Sequence, residues 1–582
     1  MKPSLVIRGA TIIDGRGGAP FVADVAIQGE TIVEVGEVTK RGQREIDAAG
    51  HLLTPGFVDI HTHLDAQLTW SNRMDPSSWH GVTTVVTGNC GIGIAPLKPG
   101  QRDKLVELVA GVEDIPDPVL VNGVPWCWET FPEYLDFIES RDFDVDVVTQ
   151  LAHGAVRLYV MGDRGSNREP ATPADCARMY EIAREALKAG ALGISTSRTA
   201  AHRTTKGEFE FTLKSEEMEL NALMDAMRDA DTGWLQLIAD FGDELPAEFD
   251  MLCRLAKRSG RQVSITIMED DSKPEEWTDV LGRIAIARRN GQALVGQVTA
   301  RSISTILGLE AGENPFSGCR SYEAILHLPL SGKVAAMKDP ALRARLLSED
   351  VADARVRGRT RNWARLFPLE EAPDYEPSSA DSIAARAAKA GVTPEEYAYD
   401  YLLSRDGRAL ILYAKLNYKH GNLDSVQRML ADPNTLVGLG DAGAHLGYLA
   451  DASVFTYLLS HWTRDRKRGE LFSLAWAVRR ITSQNAEAIG LHDRGVVAAG
   501  YKADLNIIDY ARLSLHCPEV RYDLPGGVRR LVQRADGYKA TILSGVQVMA
   551  DGEPTGELPG RLVRGRRATP SQSFTEHPVA TT

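Results

Sequence analysis

The chain has 582 residues, 43% hydrophobic and 25% charged, the composition of an ordinary globular protein with room for more than one domain. A formal net charge of −13 argues against a nucleic-acid or anionic-membrane surface as its main business. No stretch approaches the roughly 20 apolar residues that span a bilayer, the amino terminus lacks a signal-peptide h-region, and six scattered cysteines without CxxC spacing point to a reduced, cytoplasmic protein.

Residues 4 to about 50 read as short strands, Leu5–Gly9, Val22–Ile27 and Thr31–Val35, with a turn at Asp14-Gly15-Arg16-Gly17-Gly18. They are too few to fold alone and call for partner strands from elsewhere. At Pro55-Gly56 a turn signal releases the apolar run Phe57-Val58-Asp59-Ile60, which leads into His61-Thr62-His63. Strand side chains alternate with period two, so His61 and His63 are expected on one face, where two neutral imidazoles can chelate a divalent metal such as zinc. The bland alternative is a hydrogen-bonded histidine pair near a strand end.

From residue 55 onward, strand-like and helical stretches alternate. The strands read as 57–63, 83–87, 145–151, 191–196, 234–239, 262–268, 293–299 and 435–439. The clearest helices read as 173–189, 215–230, 246–259 and 274–290, with Pro173, Pro246 and Pro274 at helix starts and Gly190, Gly260 and Gly291 after helix ends. Eight strand–helix units predict an α/β fold, a (β/α)8 TIM barrel over about 55–490, with a doubly wound open sheet as the alternative. The long gap at about 300–434 predicts a mostly helical insertion beside the barrel mouth, either a lid or an oligomer contact. Residues 491–560 return to strand character and are expected to complete a small β-sandwich begun by residues 1–54. From about 561 the chain is basic and poor in apolar residues, so 561–582 is expected to be an extended or disordered tail.

Barrel active sites lie at the carboxyl ends of the strands. There the sequence places His61 and His63, Cys90 in Gly88-Asn89-Cys90-Gly91, His153, Ser195, Ser197 and Arg198, then Asp441 with His445 four residues later, and Asp240 and Glu269 past strands five and six. Each has a plainer alternative: a small buried residue in a glycine turn for Cys90, a loop-orienting residue for His153, an Asx turn for Asp441, a carboxylate partner for Arg198. Coincidence explains any one of them better than all together.

Pro55-Gly56-Phe57-Val58-Asp59-Ile60-His61-Thr62-His63, the run Gly81 to Gly91, Gly193-Ile194-Ser195-Thr196, Asp441 and Gly500-Tyr501-Lys502-Ala503-Asp504-Leu505 carry a resemblance. The chain resembles the amidohydrolase superfamily and, within it, the D-aminoacylase (N-acyl-D-amino-acid deacylase) group. The resemblance implies a metal-bearing barrel with a β-sandwich built from both chain ends. It also implies that His61, His63, Cys90 and Asp441 are metal-site residues and that Asp441 is the catalytic base. Two zinc-binding histidines of that group, at the ends of strands five and six, are replaced by Ile238 and by Thr266 or Ile267, and a tyrosine expected after Gly-Ile-Ser-Thr is Ala200.

The expectation is therefore a metal-dependent hydrolase of a small amide, most plausibly an N-acyl amino acid, holding one divalent ion, zinc by preference, at His61, His63, Cys90 and Asp441. Asp240 or Glu269 is a candidate substitute ligand. Arg198, His153 and His445 are the candidate substrate-binding residues, Arg198 for a substrate carboxylate. A small-molecule substrate, no nucleic acid, no membrane and a possible homo-oligomer complete the expectation. The alternatives are cyclic amide, imide or lactone hydrolysis on the same barrel, and a metal-free binding protein.

Overall fold

The computed structural model of the protein describes residues 2–570, a mixed α/β fold. Its centre is a set of short parallel strands: β1 (Phe57–Asp59), β2 (Val82–Thr87), β3 (Asp146–Thr149, continued after Gln150 by Leu151–Ala152), β4 (Ile194–Arg198), β5 (Trp234–Ala239), β6 (Gln262–Thr266), β7 (Leu294–Val298) and β8 (Thr435–Val437). They form a three-stranded sheet, β1-β2-β3, and a six-stranded sheet running in order from β3 through β4, β5, β6 and β7 to β8. β3 is common to both. The first and last strands are tied by Asn485, whose Nδ2 donates to the carbonyls of Val58 at 2.9 Å and Val437 at 2.7 Å.

Helices return the chain between successive strands. Their ends follow local chemistry. The helix α1 (Arg102–Glu113) finishes on a left-handed Asp114. The helix α2 (Pro173–Ala189) starts from a Thr172/Asp175 capping box with Pro173 in its first turn, and stops at Gly190 with φ 115°.

A nine-stranded sheet draws its strands from both ends of the chain. Leu505–Ile508 pairs antiparallel with Leu52–Pro55, so the segment leading into β1 is held by the carboxyl-terminal part. A buried ionic cluster ties this sheet to β3: Asp146 accepts from Arg494 at 2.7 Å and faces Lys502 at 3.0 Å, and Lys502 also meets Asp504 at 2.7 Å. Beyond it, residues 560–567 lie extended against the molecule, with backbone bonds to Phe143, Val147 and Gly490 and with Leu562 and Val563 buried. Residues 571–582 of the expected tail lie outside the described residues. Among those described, no helix is long and apolar enough to cross a membrane.

The insertion is mostly helical, and its helices surround a small sheet. Ile303–Leu307, Leu366–Leu369 and Leu410–Leu416 form a three-stranded antiparallel sheet, and the helices around it share a separate apolar core that includes Phe316, Met337, Leu346 and Tyr399. Short strands this far apart along the chain carry no local sign that they pair.

Candidate metal centre

The strand ladder of β1 ends at Asp59, short of both histidines, so strand alternation does not aim them. Backbone bonds on either side do. Asp59 Oδ1 accepts from His61 N at 3.1 Å, Thr62 N donates to Val86 O at 3.0 Å, and His63 N donates to Ala442 O at 2.8 Å. Asp441 N donates to His61 O at 3.1 Å, which clips the loop after β8 onto the same segment. The two rings come out 5.4 Å apart at 66°.

Cys90 is placed by a tight turn after β2. Its own φ is 56° and that of Gly91 is 75°; a Cβ on Gly91 would meet Ser197 N at 2.8 Å, so only glycine lets this turn press against β4. Asn89 Nδ2 donates to the carbonyls of Thr62 and Val86, both at 3.0 Å, and Gly91 N donates to Ser195 Oγ at 2.9 Å. Gln236 Oε1, from the middle of β5, accepts from Cys90 N at 2.6 Å.

These supports bring one donor atom each of His61, His63 and Cys90 within 4.8 Å of one another, all buried. Cys90 Sγ is 3.3 Å from His61 Nε2. Asp441 Oδ1 lies 3.5 Å from His61 Nε2 and 3.7 Å from His63 Nε2, with a quarter of its side chain exposed. The opposite ring nitrogens are engaged elsewhere. His61 Nδ1 meets Gln297 Oε1 at 2.7 Å, and His63 Nδ1 is 3.1 Å from Glu113 Oε1.

Burial, helped by the charge on His63, pulls the His61 pKa down to about 3, so that ring is neutral. Burial works against a charged His63 too, but the facing Glu113 carboxylate outweighs it and holds the ring well above the usual imidazole range. Burial raises the Cys90 thiol and pushes Asp441 up to about 7. The outward-facing donors are two imidazole nitrogens, a thiol and a carboxylate. That donor set fits a divalent ion such as zinc.

Several sequence-derived site residues stand elsewhere. His153 is fully buried with both nitrogens used, Nδ1 at 2.9 Å from Thr196 Oγ1 and Nε2 at 2.8 Å from Glu219 Oε1, so its expected substrate contact is corrected to a core role. Arg198 lines a cavity of about 520 Å³ at the ends of β4 and β5, but its guanidinium is taken by both oxygens of Glu248 and by Ser215 O. A substrate carboxylate would have to compete with Glu248 for that guanidinium. Asp240 is occupied by Thr199 Oγ1 and Ala200 N, each at 2.6 Å. Glu269 accepts from Lys419 N and Ser425 Oγ at 3.0 Å, so it anchors the insertion. Neither belongs to the donor cluster. Ile238 and Thr266 sit at the ends of β5 and β6, as expected, and offer no imidazole. His445, at φ 49°, stands near Glu113 and His63, and burial lowers its pKa.

The sequence reading missed Glu113, Gln236, Gln297 and His202. Each had a signal. Glu113 falls four residues after Val109 on the apolar stripe of α1, and the glutamines interrupt otherwise apolar strands, Trp-Leu-Gln-Leu-Ile and Leu-Val-Gly-Gln-Val. His202 has its Nδ1 2.9 Å from Ser197 Oγ, and burial lowers it to about 4.

Residues 44–549 match the model of a family described as the amidohydrolase family. An N-acyl-D-aspartate deacylase of Alcaligenes xylosoxydans xylosoxydans is 27% identical over 98% of this chain and 96% of its own. Among solved structures, a D-aminoacylase with a binuclear metal center, described with one-metal activation and second-metal attenuation, superposes with TM-score 0.64 at 24% identity, covering 96% of this chain and 99% of that one. An N-acyl-D-glutamate deacylase from Bordetella bronchiseptica, complexed with zinc and a phosphonate inhibitor, does so with TM-score 0.64 at 21% identity over 97% and 100%.

Proposed function

The chain belongs to the amidohydrolase family, and from that premise we propose a one-ion, zinc-dependent hydrolase that cleaves the amide bond of an N-acyl amino acid. The observation that carries this reading is the convergence of His61, His63 and Cys90 within 4.8 Å, with Asp441 facing both histidines. Names of the relatives support the substrate class: the curated protein described above acts on N-acyl-D-aspartate and the zinc-complexed structure is of an N-acyl-D-glutamate deacylase. We further propose that β1 to β8 close as a (β/α)8 barrel, with the sheet from both chain ends as its small β domain. The Asn485 bridge from β1 to β8 supports closure.

His61, His63 and Cys90 would hold the ion, with Asp441 as the fourth, partly exposed donor. When bound, such an ion lowers the pKa of a water and polarises a carbonyl. Asp441, whose carboxylate faces both histidines and is partly open to the pocket, is placed to accept a proton and return it to the leaving nitrogen. His445, beside Glu113, and His202, beside Ser197, are neutral rings that would offer hydrogen bonds to the substrate. Ile238 and Thr266 support a single-ion centre, since neither side chain replaces an imidazole ligand.

The direct test is hydrolysis of a panel of N-acyl-D- and N-acyl-L-amino acids beside hydantoins and lactones, with zinc supplied. Cleavage confined to open-chain N-acyl compounds is expected. Turnover of cyclic amides alone would replace this substrate class, and no turnover with no bound ion would point to a metal-free binding protein.

A further inference from the structure

The two histidines differ in what holds them from behind. Behind His61 is a neutral amide, Gln297 Oε1 at 2.7 Å; behind His63 is a carboxylate, Glu113 Oε1 at 3.1 Å. In both rings the opposite nitrogen, Nε2, is the one that faces Asp441. Glu113 is 3% exposed, and its Oε1 faces His63 Nδ1 at 3.1 Å with no other partner. A buried carboxylate is costly unless it has work that uses its charge. It reaches the pocket from the last residue of α1, outside the strand ends that supply the other residues, and its backbone carbonyl accepts from His445 N.

We infer that Glu113 is a positioning residue that fixes His63 as an Nε2 ligand, making it a stronger donor than the amide-backed His61. A carboxylate behind a ligating histidine keeps the proton on Nδ1, orients the ring and raises the basicity of Nε2. The inference rests on the one-ion reading above and deepens it: the centre is built unequally, with the charge placed behind His63 only. Gln297 Oε1, 2.7 Å from His61 Nδ1, does the same orienting work for His61 without adding charge.

The test compares wild type, Glu113→Gln and Glu113→Ala, each stripped of metal and titrated with Co²⁺, following the visible absorption of the bound ion and its dissociation constant against a competing chelator. The melting temperature of each metal-free protein reports folding. Wild type should bind one Co²⁺. Glu113→Ala should bind it about 10–100-fold more weakly with an altered absorption band, and Glu113→Gln, which keeps an acceptor but no charge, should fall between. Gln297→Ala should weaken binding less than Glu113→Ala. Folded Glu113 variants with wild-type affinity and spectrum would overturn the inference and leave the one-ion reading standing. A wild-type chain that binds no Co²⁺ would sink both. If the variants do not fold, ¹⁵N NMR of histidine-labelled, zinc-loaded wild type decides instead: His63 must carry its proton on Nδ1, and ligation through Nδ1 contradicts the role given to Glu113.

Discussion

Asp441 brings one carboxylate oxygen to 3.5 Å from Nε2 of His61, from a backbone turned to φ 42° in the loop after β8. That left-handed turn is uncommon for a residue other than glycine. It is held by Asp441 N bonding to His61 O, so the acid and the histidine fix one another. The relation gives the two residues separable jobs.

Replacing His63 with alanine removes one nitrogen ligand, so ion affinity and amide hydrolysis should fall together, and excess zinc should restore part of the rate. Replacing Asp441 with asparagine keeps an oxygen donor but removes the base. Bound ion should then persist while the rate drops by about 10²–10⁴-fold, the usual size of a lost general base, and added zinc should not recover it. Metal content, melting temperature and hydrolysis measured on both variants check the contrast. A folded Asp441→Asn protein with full activity would end the mechanism.

The Cys90 turn yields a second expectation. Gly91→Ala puts a Cβ 2.8 Å from Ser197 N at a residue with φ 75°. The turn must move away from β4 and take Cys90 with it. Stability should fall by about 1–3 kcal/mol from the strained φ, and zinc affinity should fall more than stability does. Cys90→Ser, which leaves the turn alone, should weaken zinc with little change in metal-free melting temperature. Equal zinc affinity in both variants and wild type would remove Cys90 from the centre.

Acid sensitivity should trace to the core, at Glu219. Burial opposes its charge, but His153 and Arg157 overcome burial and hold it at about 2, below the ordinary 4.5. A depressed carboxylate adds stability that is complete above its unfolded pKa and is lost as the pH falls from about 4.5 toward about 2. Glu219→Gln leaves Arg157 buried without its counter-charge, a loss of about 3–5 kcal/mol at neutral pH, and should flatten this part of the acid limb. Urea melts of both proteins between pH 2 and pH 6 measure it. An unchanged acid limb in the variant would refute the assignment.

Arg198 should behave as a structural residue. With Glu248 across from it, Arg198→Ala should cost about 1–3 kcal/mol for the acid left unpaired, while KM for an N-acyl amino acid changes little. A large rise in KM with unchanged stability would return Arg198 to the substrate.

The order of strands and helices was legible because each unit carries its own period and its own punctuation, as at Thr172-Pro173 and Gly190. His61, His63, Cys90 and Asp441 were legible because they follow apolar strands or sit in glycine turns. The charged residue behind His63 was not, because Glu113 reaches the centre by packing of a helix that has no motif, and only its place on an apolar stripe betrays it. His153 misled for the converse reason: position at a strand end says where a side chain starts, while Glu219, 66 residues away in sequence, decides what it binds. The insertion's sheet was hidden by the same distance, since pairing of Ile303–Leu307 with Leu410–Leu416 leaves no local trace.

The most direct test of the one-ion amide hydrolase is a titration of metal-free protein with zinc, reading hydrolysis of an N-acyl amino acid at each increment. Activity should climb in proportion to added zinc, reach its plateau at one equivalent per chain, and gain nothing from a second. Hydrolysis that appears only after two equivalents, or fails to appear at any, would contradict the account.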